Sequence, residues 1–242
     1  MNDLVFIPIP RNASGSVRTA LSEKKHFYTF DFLESIQPYT EPVLHLTNEN
    51  SCWKFIQQKL LTESVSWKKA KKFAIIRNPW SRVVSMFYHD AANIGSQSFS
   101  SFLKSLPAIV QGKIYLASCR SKVMIPYRAN CPTEGLLLHP DCSRIQYHVL
   151  PQFCHFWQPE SGSVLDNLIK YESLELDLNN FLEQNGHPPV KLDNINYSAK
   201  NKLRIGKSTE KHYSEYYTED WMIKLVELLY KEDIKLGNYS FD

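Results

Sequence analysis

Lys72-Phe73-Ala74-Ile75-Ile76-Arg77-Asn78-Pro79-Trp80-Ser81-Arg82-Val83-Val84-Ser85 decides how the rest of this 242-residue chain is read. Its first half, Lys72 to Arg77, is a short apolar run that reads as a strand. Asn78-Pro79 ends the strand, and proline carries a fixed φ suited to the first turn of a helix. Beyond it Trp80, Val83, Val84 and Phe87 recur at helical spacing. The segment therefore predicts strand, tight turn and helix.

The same order appears on either side. Leu4-Val5-Phe6-Ile7-Pro8 is an apolar run ending at Pro8 and Pro10, followed by small polar residues and then Val17-Arg18-Thr19-Ala20-Leu21. Pro42-Val43-Leu44-His45-Leu46 is a second candidate strand, and residues 51–61 have helical composition with Asn50 or Ser51 as cap. Leu168-Ile169-Lys170-Tyr171 closes another strand. A helix follows with Leu174, Leu178, Phe181 and Leu182 on one face, and Gly186 is its stop. A last helix presents Met222, Leu225, Val226 and Leu229.

Strands alternating with helices predict an α/β fold, a single domain over residues 1–242 with a central, mostly parallel sheet flanked by helices. Ligands of such a sheet sit beyond the C-terminal ends of its strands, so the site belongs at the strand-to-helix turns. Residues 107–143 have weak periodicity, several prolines and three of the five cysteines, and read as an irregular insertion.

A net charge of +3 is too small for a protein that coats a nucleic acid or another polyanion, so an anion site must be local. No window has the roughly 18 to 20 consecutive apolar residues of a membrane span, and Met1-Asn2-Asp3-Leu4 lacks the features of a signal peptide. The expected location is the cytoplasm. Cys52, Cys119, Cys131, Cys142 and Cys154 are odd in number and form no CxxC pair, which points to reduced thiols and no metal site. Asn12-Ala13-Ser14 is an N-glycosylation pattern, but it lies where a glycan would block the first turn.

That first turn, Arg11-Asn12-Ala13-Ser14-Gly15-Ser16-Val17, has the parts of a phosphate cradle. Small residues let backbone N–H groups approach an anion, hydroxyls add donors, and the following helix turns its positive end inward. An ordinary strand-to-helix turn fits the same residues. At the second turn Arg77 offers the forked geometry that matches phosphate, and the Ser85 hydroxyl completes a contact two turns into the helix. Arg82 reads as a solvated surface charge.

Together these stretches resemble the PAPS-dependent sulfotransferases, whose donor is 3′-phosphoadenosine 5′-phosphosulfate. The first turn resembles the family's 5′-phosphosulfate loop, and Arg77-Asn78-Pro79-Trp80-Ser81-Arg82-Val83-Val84-Ser85 resembles its 3′-phosphate signature. Tyr171-Glu172 with the helix after it is similar to the family's late strand and helix, and His212-Tyr213-Ser214-Glu215-Tyr216-Tyr217-Thr218 through Asp233-Ile234 to Gly237-Asn238-Tyr239 looks like the carbohydrate-type branch. The resemblance implies a P-loop-NTPase-like sulfotransferase fold, PAPS as donor, PAP as product, no metal, and a glycan or small hydroxylated metabolite as acceptor.

It also implies roles. Residues 11–17 hold the 5′-phosphosulfate, Arg77 and Ser85 hold the 3′-phosphate, and Tyr171 contacts the nucleotide, although a core aromatic also fits Tyr171. His45 lies in a stretch similar to the one that supplies the family's catalytic histidine, and Glu49 is the reserve base. A satisfied core histidine is the bland reading of His45, and His89 reads as structural. The segment Arg144-Ile145-Gln146-Tyr147-His148-Val149-Leu150-Pro151-Gln152 is similar to one lining the acceptor side, which makes His148 and Gln152 substrate candidates. Arg204 and Lys207 belong to a basic stretch that lacks the leading glycine of a Walker loop; it is either a closing loop over the nucleotide or a solvated loop.

The family usually has lysine where this chain has Arg11, and often threonine where it has Asn12. Arginine can neutralise charge on a leaving oxygen but stays protonated, so it serves electrostatic and not acid catalysis. Two other readings remain at this level. One is a P-loop nucleotide kinase, which needs an intact Walker loop and a magnesium carboxylate; the other is a non-catalytic module binding nucleotide or sulfated glycan.

Overall fold

The computed structural model describes residues 1–29, 52–90, 96, 98–110, 147–158, 162–192 and 211–242. They fall into two compact units, the first made of the described residues of 1–29, 52–78 and 152–192 and the second of those of 79–151 and 211–242.

The first unit carries the sheet. Strands β1 (Leu4–Phe6), β2 (Phe27–Thr29), β3 (Lys71–Ile76) and, further on, Asn167–Lys170 lie in one parallel sheet in which β1 and β3 are neighbours. A short antiparallel ribbon, β4 (Trp157–Gln158) with β5 (Gly162–Ser163), precedes that last strand, which is therefore β6. The order is β2-β1-β3-β6. From β1 the chain crosses first to β2 on one side, then returns to β3 on the other. The reversal makes the β1/β3 boundary the topological switch point, where open parallel sheets leave a crevice beyond their strand ends.

Alternation along each strand sets the packing. Leu4, Phe6, Phe73, Ile75 and Ile169 point to one face, where α1 (Ser14–Leu21) contributes Val17 and Leu21, and α5 (Leu174–Gln184) contributes Leu178, Phe181 and Leu182. Phe73 stacks at 5.0 Å on Phe6 and meets Phe181 at 5.0 Å. Each such fully buried side chain stabilises by about 1.5–3 kcal/mol. The opposite face carries Val5, Ile7, Ala74 and Ile76, all buried too, as the unbroken apolar runs require. Helix α2 (Cys52–Thr62) buries Ile56 and Leu60. Gly186 ends α5 with φ 79°, its N–H bonding to Glu183 O while His187 N–H bonds to Leu182 O, a Schellman closure.

The second unit is helical among the described residues. It contains α3 (Pro79–Asp90), α4 (Phe99–Val110), α6 (Asp220–Leu229) and α7 (Lys231–Gly237). Trp80, Val83, Met86, Phe102, Leu103, Leu106, Val149, Met222, Val226 and Tyr230 form its core. Polar ends of the buried rings find backbone acceptors: Tyr217 OH donates to Trp80 O at 2.9 Å and Tyr230 OH to Val149 O at 2.8 Å.

Two expectations change here. Residues 107–110 are not irregular but the last turn of α4, because Leu106 and Ile109 are drawn into the core across Pro107. The candidate strand at residues 42–46 and its cap lie outside the described residues; the strand beside β1 on that side is Phe27–Thr29. No helix among the described residues is long and apolar enough to cross a membrane.

Candidate functional site

Both predicted turns leave the C-terminal ends of strands that flank the switch point. β1 and β3 pair with Phe6 opposite Phe73, and the ladder runs on through Ile7 N–H to Phe73 O at 2.9 Å. β3 and β6 pair with Ile76 opposite Lys170, so Arg77 comes level with Tyr171 and Asn78 with Glu172. The first turn, Arg77 and Tyr171 thus all follow the C-terminal ends of three adjacent parallel strands.

Contacts follow the register. The Arg77 guanidinium donates to Arg11 O at 3.3 Å and lies over the Tyr171 ring at 4.3 Å. Asn78 N–H donates to Glu172 Oε1 at 2.7 Å. Tyr171 is 36% exposed, which excludes the core-aromatic alternative and leaves a ring that flattens a guanidinium in a solvent-facing position.

The first turn is built by backbone. Arg11 and Ala13 both have positive φ, 69° and 59°, although neither is glycine. Left-handed residues cost of order 1 kcal/mol or more each, and they persist where the surroundings over-determine them. Ala13 is the N-cap of α1 in the left-handed region and makes no side-chain cap. The first amides of a helix have no intrahelical acceptor, so the start of α1 at Ser14, Gly15 and Ser16 has the donor arrangement that suits an anion. Ser14 Oγ turns back to donate to Ile9 O at 2.7 Å, tightening the loop.

Asn12 sits differently from its neighbours. It is fully buried, its Nδ2 donating to Ile75 O at 2.7 Å and to Gln152 Oε1 at 2.6 Å. The side chain therefore braces β3 and does not face a ligand, while Oδ1 is buried with no partner among the described residues. A glycan on Asn12 is sterically excluded in this fold. Gln152 is equally buried, with Oε1 accepting from Arg77 N–H at 2.9 Å and Nε2 donating to Arg77 O at 2.9 Å. It offers no exposed surface to an acceptor molecule, because the sheet edge has taken its amide.

In the second unit, Ser85 is half-buried on α3 and His148 is 7% exposed. Asp90 accepts from both His89 Nδ1 at 2.7 Å and His148 Nδ1 at 3.2 Å. Burial pushes the Asp90 carboxyl up, but charge and hydrogen bonds from His148 and His89 outweigh it and hold the group well below the ordinary carboxylate range. These three side chains are the one cluster of metal-binding types among the described residues; both Nδ1 atoms are engaged by the same carboxylate.

Arg82 overturns its surface reading. It is 1% exposed, donating to Leu150 O and His148 O at 2.9 Å each. The signal was present in the sequence, since Arg82 shares the i, i+4 stripe with Met86 and Asp90 on the buried face of α3. Gln152 and Glu172 gave no comparable signal, because their partners are set by strand register. His45, Glu49, Arg204 and Lys207 lie outside the described residues.

Compared with known families, the chain matches the model of the Sulfotransferase family over residues 2–240. No curated protein and no solved structure gives a match.

Proposed function

Because this chain belongs to the sulfotransferase family, whose members transfer sulfuryl groups, we propose that it moves a sulfuryl group from PAPS to a hydroxyl or amine of a glycan or small hydroxylated metabolite. What carries the reading is the Arg77 guanidinium seated 3.3 Å from the Arg11 carbonyl at the switch point. Two cationic turns on adjacent strands suit a nucleotide with phosphates at both ends.

In this reading the amides opening α1 and the Arg11 side chain hold the 5′-phosphosulfate, and Arg77 with Ser85 holds the 3′-phosphate. Tyr171 flanks the nucleotide, and Arg204 and Lys207 close over it. The acceptor oxygen or nitrogen attacks sulfur in line, the bond from sulfur to the bridging oxygen breaks, and PAP leaves with its new charge facing Arg11. The acceptor proton goes to His45, with Glu49 as the reserve, and His148 belongs to the acceptor side. Arg11 stabilises charge without giving up a proton.

The test is transfer of labelled sulfate to a panel of hydroxylated acceptors, read by mass spectrometry, alongside calorimetry with PAP. His45→Ala is expected to bind PAP as the wild type does and to lose turnover by about a hundredfold or more, the upper part of the usual range for a general base. A protein that neither binds PAP nor labels any acceptor would end this reading. Full turnover in His45→Ala would end only the assignment of the base.

A further inference from the structure

We propose that Gln152 is a positioning residue whose buried amide couples the two anion turns, so that Arg77 is aimed at its phosphate only while the bridge through Asn12 is intact. The inference rests on reading the two turns as one nucleotide site.

The Gln152 carboxamide behaves like one more residue of a strand. Its Oε1 and Nε2 engage the N–H and C=O of Arg77, both at 2.9 Å, just past the last paired residue of β3. The same Oε1 takes a second bond from Asn12 Nδ2, whose other hydrogen goes to Ile75 O. Four hydrogen bonds thus tie Ile75 and Arg77 on one strand to Asn12 in the turn after its neighbour.

Chemistry fixes the orientation of both amides. Turning Asn12 over would set Oδ1 against two acceptor oxygens, and turning Gln152 over would set its NH₂ against the Arg77 N–H. Both side chains are 0% exposed, so water cannot replace a lost partner without opening the sheet edge.

Arg77 depends on this scaffold. Its guanidinium donates to the Arg11 carbonyl and lies over the exposed face of Tyr171, contacts whose direction follows the backbone that carries it. A rigid backbone at residue 77 is what converts those contacts into one direction. Because the bridge reaches Asn12 as well, it also sets the spacing between the turns, and spacing is what separates a doubly phosphorylated nucleotide from a singly phosphorylated one.

The experiment compares PAP with adenosine 5′-phosphate, which lacks the group assigned to Arg77, by calorimetry on the full chain. Gln152→Met removes the amide at constant length. It is expected to weaken PAP about tenfold or more, near 1.4 kcal/mol, while adenosine 5′-phosphate changes by less than about threefold. Combined with Arg77→Ala it should add no further loss of PAP affinity, since the two act through one contact.

Gln152→Glu, which keeps both acceptor bonds and loses the bond to Arg77 O, is the second variant if the first does not fold, with the same direction expected. Equal weakening of both nucleotides, unchanged discrimination, or additive losses in the double variant would overturn the proposal. A wild type that binds no PAP would instead remove the nucleotide reading beneath it.

Discussion

In the proposed function the turn after β1 and the turn after β3 share one job with opposite materials. The first relies on backbone: positive φ at Arg11 and Ala13 and an uncapped helix start. The second relies on side chains: Arg77 laid on Tyr171, Glu172 holding Asn78 N–H, and Gln152 gripping the Arg77 backbone. Amides at a helix start bind an anion through dipoles that tolerate changes in side chain, whereas a guanidinium binds through charge and direction that one substitution removes.

The difference ranks the expected damage. Arg77→Ala should cost the most, about a hundredfold in PAP affinity or roughly 2.7 kcal/mol by calorimetry. Arg77→Lys should recover little, since lysine can neither fork onto two oxygens nor stack flat on Tyr171. Full rescue by lysine would mean that charge alone operates there.

Ala13→Val should come next. A β-branched residue is a genuine outlier at positive φ, so a loss of about 1–3 kcal/mol in denaturant stability is expected. Ala13→Gly should be neutral or stabilising. If valine is tolerated, the first turn is not built by backbone.

A smaller effect tests the second unit. The Asp90 carboxyl is held below its unfolded value, so the stability it contributes is fully present above about pH 4 and is lost as pH falls further. Denaturant melts from pH 7 to pH 2.5 should show a shallower acid decline in Asp90→Asn than in the wild type. Parallel declines would detach Asp90 from the acid response.

Ser14→Ala should do least, about 0.5–1.5 kcal/mol in stability from the lost bond to Ile9 O, with PAP affinity within about threefold. A large loss of affinity would show side-chain recognition in a turn assigned to backbone.

What the sequence made legible follows the same divide. Local patterns carried β1, β3, β6, the Gly186 stop and the apolar faces of α3, α5 and α6, because each is a repeat of nearby residues. β2 escaped notice: Phe27-Tyr28-Thr29 is too short to show a period and is defined by pairing with β1. Ala13 in a left-handed conformation is invisible where a glycine would have announced it. Gln152 reads as an acceptor-side residue until its bonds to Arg77 and to Asn12, 75 and 140 residues away, turn it inward. Arg82 was legible by stripe position and misread by charge.

The most direct test of the central claim is a calorimetric titration of the wild-type protein with PAP, adenosine 5′-phosphate and adenosine 3′-phosphate. Both turns gripping one nucleotide predicts a single PAP per chain, bound at least about tenfold tighter than either monophosphate and displacing both. Simultaneous, independent binding of the two monophosphates, with PAP no tighter than the better of them, would contradict it.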